Sequence, residues 1–255
     1  VVHGGKFGER WTEIAKAYGI NVEIIDVEWG KAASPEEISK RLKANPKIKA
    51  VFTTLCETST GVDNDIEKIA QVVKETPAVL VVDAISGLGA IDLKTDAWGV
   101  DVVVSGSQKG LMLPPGLGFI SAGPKAWKLV EASKSPRYYL DLRKAKQALD
   151  KNDTPFTSSI TLIIALNEAL KMIRQDGLEY IFTRHKKMAD AARSAVKALG
   201  LELFAPTASS DAVTAVKVPS GIDGEKLVKT MRDTYGVTIA GGQDELKGKV
   251  FRIAH

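Results

Sequence analysis

The chain has 255 residues, of which 44% are apolar and 26% charged, and its formal net charge at pH 7 is +4. This composition is typical of a soluble globular protein and excludes a disordered chain. The longest apolar runs are far shorter than the roughly 20 residues that a membrane helix needs. Basic and acidic residues alternate along the chain, so we expect no nucleic-acid surface, and the slight positive balance favours small anions.

Cysteine and histidine are rare. The single cysteine, Cys56, excludes an intramolecular disulfide and predicts a reducing, cytoplasmic compartment. The three histidines, His3, His185 and His255, have no spacing that would bind zinc, so no metal site is expected.

Strand-like and helix-like segments alternate through the first half, which predicts an α/β layer architecture. The predicted helices span 7–18, 34–44 and 63–75, and the predicted strands span 21–27, 50–55, 79–83, 101–105 and 118–121. The last three strands are continuously apolar, as expected for strands that are covered on both faces.

The second half is different. Residues 158–199 predict two helices that are separated near Asp176-Gly177. After Gly200 we expect strands over 201–204, 212–218, 237–240 and 250–253, with one helix over 223–235. The chain is therefore predicted to divide into a large domain, residues 1–177, and a smaller C-terminal α+β domain, residues 178–255.

Both ends of the chain fall at strands. Val1-Val2 resembles the tail of a strand, and His255 follows a predicted strand directly. We therefore expect this sequence to be a segment of a longer polypeptide.

Three predicted loops, 56–61, 83–89 and 105–110, leave the carboxyl ends of buried strands, where ligands bind in open α/β sheets. They carry hydroxyl groups, a carboxylate, an amide and an amine: Thr58, Ser59, Thr60, Asp83, Gln108 and Lys109. A lysine can form a Schiff base, and an aspartate can keep a pyridine nitrogen protonated, so the pair predicts pyridoxal phosphate. Asp101 begins its strand at the opposite edge and is therefore not expected in the site.

Three motifs make a family resemblance specific. They are Gly5-Lys6-Phe7-Gly8-Glu9-Arg10-Trp11, Val82-Asp83-Ala84-Ile85-Ser86-Gly87-Leu88-Gly89, and Ser105-Gly106-Ser107-Gln108-Lys109 with Pro114-Pro115-Gly116. In this order they resemble the class V pyridoxal-phosphate aminotransferases, within them the alanine–glyoxylate and serine–pyruvate group. The resemblance covers nearly the whole chain. It implies fold type I, with a mostly parallel sheet in the large domain.

The resemblance also implies roles for the cofactor site. Lys109 would form the Schiff base and move the proton between the substrate α-carbon and the cofactor C4′. Asp83 would pair with the pyridinium nitrogen, and Ile85 would press on one face of the ring. Gln108 would contact the phosphate or ring hydroxyl region, and Thr58 the oxygen side of the ring.

Further roles concern the substrate and a second subunit. Arg252 matches the arginine that binds the substrate α-carboxylate, for which a planar fork suits better than an ammonium group. Thr154 and Thr157 match the segment that reaches the phosphate of the neighbouring subunit, although the family often has a tyrosine where Thr154 stands. The resemblance thus implies a homodimer with shared active sites.

Part of the family site lies upstream of Gly5. The helix start that cradles the phosphate and the aromatic residue that stacks on the pyridine ring precede this motif in the family. A helix N-terminus supplies N–H groups for a phosphate, so the segment alone is expected to hold the cofactor poorly.

The leading hypothesis is an aminotransferase that moves an amino group from a small amino acid, alanine or serine, to a 2-oxo acid, glyoxylate or pyruvate. A cysteine desulfurase-like lyase of the same fold is one alternative. Such enzymes usually carry a histidine where Gln108 stands, and they need a mobile cysteine, whereas Cys56 is predicted to be buried. The other alternative is a catalytically incomplete structural or interaction subunit, with the upstream part as a separate fragment.

Overall fold

The structure is a computed structural model that describes residues 1–255. The helices are α1 (Lys6–Ala17), α2 (Pro35–Ala44), α3 (Ile66–Lys74), α4 (Thr95–Trp98), α5 (Pro124–Ala132), α6 (Leu142–Leu149), α7 (Ile160–Asp176), α8 (Leu178–Ala198) and α9 (Gly224–Tyr235). The strands are β1 (Val2–His3), β2 (Ile25–Asp26), β3 (Ala50–Thr54), β4 (Cys56–Glu57), β5 (Val62–Asp63), β6 (Val79–Asp83), β7 (Val102–Gly106), β8 (Gly118–Ala122), β9 (Val213–Lys217), β10 (Ala240–Gly241) and β11 (Val250–Ala254). No helix combines the length and the apolar character that crossing a membrane requires.

The main sheet has the order β3-β6-β7-β8. Strands β3, β6 and β7 are parallel, which confirms the predicted mostly parallel α/β sheet. Its strand β6 is apolar from Val79 to Val82, and Leu80 and Val82 are fully buried between the flanking helices. A run of β-branched and leucine side chains without polar alternation forms such a two-sided core because both sheet faces are covered.

Strand β8 departs from the prediction of a strand covered on both faces. It pairs antiparallel with β7 at the sheet edge, and Ile120 is 52% exposed. The chain returns from β7 to β8 through residues 107–117 without a crossover helix, and such a short return permits only an antiparallel neighbour.

Two more predicted boundaries in the first half change. Of the strand expected over 21–27, only Ile25–Asp26 forms one, parallel to β1. The helix expected from residue 63 begins at Ile66, because Val62–Asp63 pairs with Cys56–Glu57 as a hairpin. Asp65 caps that helix, and its Oδ1 accepts the N–H of Lys68 at 3.0 Å.

The C-terminal part of the chain forms an antiparallel sheet of order β10-β11-β9. Its core contains Val216 and Phe251, with Val196 contributed by α8. The predicted strand over 201–204 is reduced to one bridge, between Leu203 and Val216, and the one over 237–240 to Ala240–Gly241. Both segments follow a left-handed glycine that ends a helix, Gly200 at φ +72° and Gly236 at φ +67°, so few residues remain for regular pairing.

A buried carboxylate fixes the start of α1. Glu57, which is 2% exposed, accepts the N–H groups of Phe7 at 3.3 Å and Gly8 at 2.9 Å, and Ser59 Oγ accepts that of Lys6 at 3.0 Å. A Cβ atom at Gly5 would lie 2.5 Å from Glu57 Cγ, so only glycine allows this approach. We call these contacts the α1 clamp; an anion at a helix N-terminus satisfies unpaired N–H groups and the helix dipole together.

The α1 clamp predicts that a nearly isosteric substitution at Glu57 destabilises the fold. Glu57→Gln removes the charge and places an amide NH₂ group, which is a donor, against a backbone N–H donor. We expect the free energy of unfolding to fall by about 2 kcal/mol, the order of a hydrogen bond to a charged group, measured by urea denaturation.

The control is Glu67→Gln, an exposed acidic residue in the first turn of α3. It should change stability by less than about 0.5 kcal/mol. Equal effects of the two substitutions would contradict the role given to Glu57.

Candidate active site

Asp83 and Lys109 follow neighbouring parallel strands. Asp83 is the last residue of β6 and pairs with Val104 of β7, while Lys109 lies three positions beyond the end of β7. Because parallel strands end at one sheet edge, the structure brings the predicted carboxylate and amine to the same edge. Asp101, which the sequence excluded, lies at the opposite edge, where its Oδ2 accepts the N–H of Leu80 at 2.8 Å.

Two glycines let the loops that follow these strands touch. Gly89 has φ +85°, and its backbone lies against Gly110. A Cβ atom at position 110 would lie 2.2 Å from the carbonyl oxygen of Leu88, so no other residue fits there without a backbone shift. The loop after Asp83 thus carries the turn that contains Lys109.

Ser107 anchors that turn. It is fully buried; its Oγ donates to the carbonyl of Pro114 at 2.7 Å and accepts the N–H of Leu117 at 3.2 Å. Lys109 and Gln108 are exposed beside it, and an open cavity of about 390 Å³ begins at Lys109 and Ser86. The Gln108 side chain folds over Gly106, where a Cβ atom would lie 2.8 Å from its Oε1.

The Asp83 carboxylate is held at both oxygens. Its Oδ1 accepts the N–H of Ile85 at 2.9 Å, and its Oδ2 accepts the indole N–H of Trp11 at 2.9 Å. Burial raises the pKa of Asp83 above its ordinary value, and these two donors act against that rise by favouring the anion. Ile85 is partly exposed at this position, next to the carboxylate.

Arg252 connects the C-terminal sheet to the loop that contains Thr58. Its Nε and Nη2 donate to the carbonyl of Gly241 at 3.0 and 2.8 Å, and its Nη1 donates to the carbonyl of Thr58 at 3.0 Å. Burial lowers the pKa of Arg252 from its ordinary value. Thr58 Oγ1 in turn donates to Ser86 Oγ at 2.5 Å, so the three predicted loops are linked.

Two predicted site residues lie elsewhere. Thr154 and Thr157 are exposed on the segment before α7. Thr154 Oγ1 donates to the carbonyl of Phe156 at 2.7 Å, a contact within that segment. Within one chain, therefore, the structure gathers Thr58, Asp83, Ile85, Gln108, Lys109 and Arg252, and leaves the two threonines apart.

Sequence reasoning overlooked three residues of the site: Trp11, Glu57 and Ser107. Trp11 appeared only as part of a motif, and nothing in the spacing indicates that an indole reaches a carboxylate 72 positions away. Glu57 follows a buried strand and is the one charged residue between Val51 and Val62, which is the signal that could have found it. Ser107 gives no local signal, because a hydroxyl in a glycine-rich turn is common.

The residues present fit pyridoxal phosphate, the cofactor expected from the sequence. A partly buried carboxylate suits a pyridinium nitrogen, an exposed amine suits an aldehyde, and the paired hydroxyls of Thr58 and Ser86 suit a ring oxygen. Asp83, Lys109 and Thr58 lie on three linked loops at one edge of the sheet, so one cofactor can meet all three.

Comparison with known proteins agrees with this geometry. The class V aminotransferase family profile matches residues 8–247. The soluble hydrogenase 42 kDa subunit of Anabaena cylindrica is 49% identical over 255 residues, which cover 98% of this chain and 66% of that protein. The serine–glyoxylate aminotransferase of Methylorubrum extorquens is 38% identical over 262 residues, covering 98% of this chain and 65% of that enzyme. The chain thus spans about two thirds of the length of these relatives.

A solved structure shows the same arrangement. The crystal structure of alanine–glyoxylate aminotransferase from Nostoc sp. superposes on the whole chain with a TM-score of 0.95 at 30% identity, and the chain covers 68% of it. This likeness confirms fold type I of the pyridoxal-phosphate enzymes. The profile match over 8–247 shows that the chain belongs to the class V aminotransferase family.

Proposed function

We propose that the complete protein is a pyridoxal-phosphate-dependent aminotransferase that moves an amino group from a small amino acid, alanine or serine, to glyoxylate or pyruvate. The observation that carries this proposal is that the partly buried Asp83 carboxylate and the exposed Lys109 amine follow neighbouring parallel strands at one sheet edge, where Arg252 is linked to Thr58. The named substrates of the related serine–glyoxylate and alanine–glyoxylate enzymes support the choice of substrate class.

Arg252 has donors left for a carboxylate. A guanidinium group has five N–H donors, and three of the five go to the carbonyls of Gly241 and Thr58. One N–H group on each terminal nitrogen remains. Two such parallel donors match the two oxygens of an α-carboxylate, and the Gly241 and Thr58 contacts fix the plane in which they lie.

Each loop residue has one task in this proposal. Bound pyridoxal phosphate supplies the electron sink for carbanion chemistry. Lys109 Nζ would hold the cofactor at its aldehyde carbon and would move the proton at the substrate α-carbon. Asp83 would keep the pyridine nitrogen protonated, and Ile85 would pack on the ring. Thr58 and Gln108 would bind the oxygen and phosphate sides.

An exposed apolar surface around the Thr154–Thr157 segment supports a homodimer. Tyr138, Tyr139 and Leu140 are 73%, 63% and 83% exposed, and both tyrosine rings lie against Phe156. A contiguous apolar surface of this kind marks an interaction site on a soluble protein. We infer that a second copy covers it and receives Thr154 and Thr157 at its phosphate.

The domain division and the cellular location complete the proposal. We propose the domain boundary at 177/178, and the packing of α7 on Leu111 and Leu113 and of α8 on the C-terminal sheet supports it. A cytoplasmic location is proposed because the one cysteine is a free, buried thiol that needs no oxidising compartment.

The alternatives have less support. A desulfurase needs a mobile, reactive thiolate, whereas Cys56 is 4% exposed and burial raises the pKa of its thiol. A structural subunit role has one observation in its favour, the name of the Anabaena relative, a soluble hydrogenase subunit. A subunit that carries iron–sulfur clusters would hold them with several cysteine thiolates, whereas this segment contributes one cysteine.

The first prediction concerns Lys109. Borohydride treatment of the complete protein with pyridoxal phosphate should leave a pyridoxyl adduct on Lys109, identified by peptide mass spectrometry. Lys109→Ala should remove the adduct and lower transamination by more than about 100-fold, since the general acid–base group is lost. Lys128→Ala, at an exposed lysine of α5, is the control and should leave both unchanged. Absence of an adduct on Lys109 in the unsubstituted protein contradicts the proposal.

The second prediction concerns substrate binding. Arg252→Lys replaces a fork by a point charge, so the KM for the amino acid should rise about 10- to 100-fold, the loss of one charged hydrogen bond. Steady-state kinetics with alanine and serine measure it. Arg232→Lys, at an exposed arginine paired with Asp233, should leave KM unchanged. An unchanged KM in Arg252→Lys would remove that residue from the substrate site.

The third prediction concerns the subunit contact. Leu140→Glu places a charge in the proposed interface and should shift the complete protein from dimer to monomer in sedimentation velocity, because a buried unpaired charge is costly. Leu199→Glu changes a leucine of similar exposure, 76%, in the C-terminal domain and should leave the dimer intact. A dimer that persists in Leu140→Glu places the interface elsewhere.

A further inference from the structure

The indole of Trp11 is directed at the carboxylate of Asp83. Its Nε1 lies 2.9 Å from Asp83 Oδ2, and its ring packs on Phe52 with 5.2 Å between centroids and 34° between planes. Packing on Phe52 alone would not require the N–H to face the sheet edge. The direction of the indole therefore indicates a function at Asp83.

Trp11 completes the set of donors on Asp83. The backbone N–H of Ile85 occupies Oδ1 and the indole N–H occupies Oδ2, so rotation of the carboxylate would break one bond or both. An ionised carboxylate has about four acceptor positions, which leaves a second position on each oxygen for a further donor. A third donor, such as a protonated ring nitrogen, can bind without displacing the first two.

We propose that Trp11 is a positioning residue for Asp83: its indole N–H fixes the carboxylate and keeps it ionised for the cofactor nitrogen. This proposal rests on the proposed function, because it gives Asp83 the cofactor nitrogen as a partner. Asp83 lies in a partly buried site that by itself favours the neutral acid, and an acid that has kept its proton cannot stabilise a pyridinium ion.

The α1 clamp explains why a residue on α1 can do this precisely. Glu57 and Ser59 fix the first turn of α1, and Trp11 lies one turn further on, three positions after Gly8. Residues three apart lie on the same side of a helix, so the clamp sets where the indole points. Glu57 also precedes Thr58 directly, so the same clamp places a hydroxyl of the site.

The test separates the hydrogen bond from the bulk of the ring. In the complete apo protein, Trp11 is replaced by its benzothiophene analogue, in which sulfur stands for the indole N–H, and Trp11→Phe is made in parallel. The pKa of Asp83 is measured by carbon NMR of the carboxyl group. Loss of a hydrogen bond to a charged acceptor should raise that pKa by about one unit in both variants. Trp98→Phe, at a partly buried tryptophan packed on the main core, is the control and should not raise it.

With pyridoxal phosphate bound, the pH titration of the visible absorbance and the rate of the half-reaction with alanine give the second readout. We expect a half-reaction about 10-fold slower in the analogue, with an unchanged KM for alanine. An unchanged pKa of Asp83 in the apo analogue overturns the proposal, and so does a raised pKa with a normal half-reaction rate. The pKa measurement uses the apo protein and needs no transaminase activity. The proposed function is tested separately, by the adduct on Lys109.

Discussion

The site depends on one buried carboxylate. Glu57 accepts backbone N–H groups from the first turn of α1 and lies next to Thr58, whose carbonyl accepts from Arg252. A charge inside the fold is stable only when its acceptor positions are filled, and here the unpaired N–H groups of a helix fill them. The same contact thereby fixes α1, the hydroxyl loop and the arginine of the C-terminal sheet relative to one another.

Two close approaches at glycines extend this constraint to Asp83 and Lys109, the proposed catalytic pair. Gly110 lets the lysine turn meet the carbonyl of Leu88, and Gly5 lets α1 start against Glu57. The amine and the carboxylate therefore occupy positions that the sheet edge alone would leave loose. A site of this kind needs such support, because small displacements of reacting groups are costly to catalysis.

Much of this could be predicted from the sequence. The strands ending at Asp83 and near Lys109, the helix capped by Ser34, and the break at Gly177 between two long helices follow from apolar runs and capping residues. The local sequence pattern was misleading where pairing with residues distant in the chain decides the secondary structure. The hairpin that shortens α3, the antiparallel edge strand β8 and the segment at 201–204 are set by neighbours that no local pattern specifies.

The sequence by itself determined the residue types of the site and the sheet edge at which the loop residues meet, because apolar strands that alternate with helices predict parallel strands whose carboxyl ends share one edge. Only the tertiary structure decided which hydrogen bonds hold the side chains and loops of the site in place. Trp11 reaches Asp83 from 72 positions away, and Arg252 reaches Thr58 across 194. Hydrogen bonds at this separation depend on how whole elements pack, and packing is a property of the folded chain rather than of any segment.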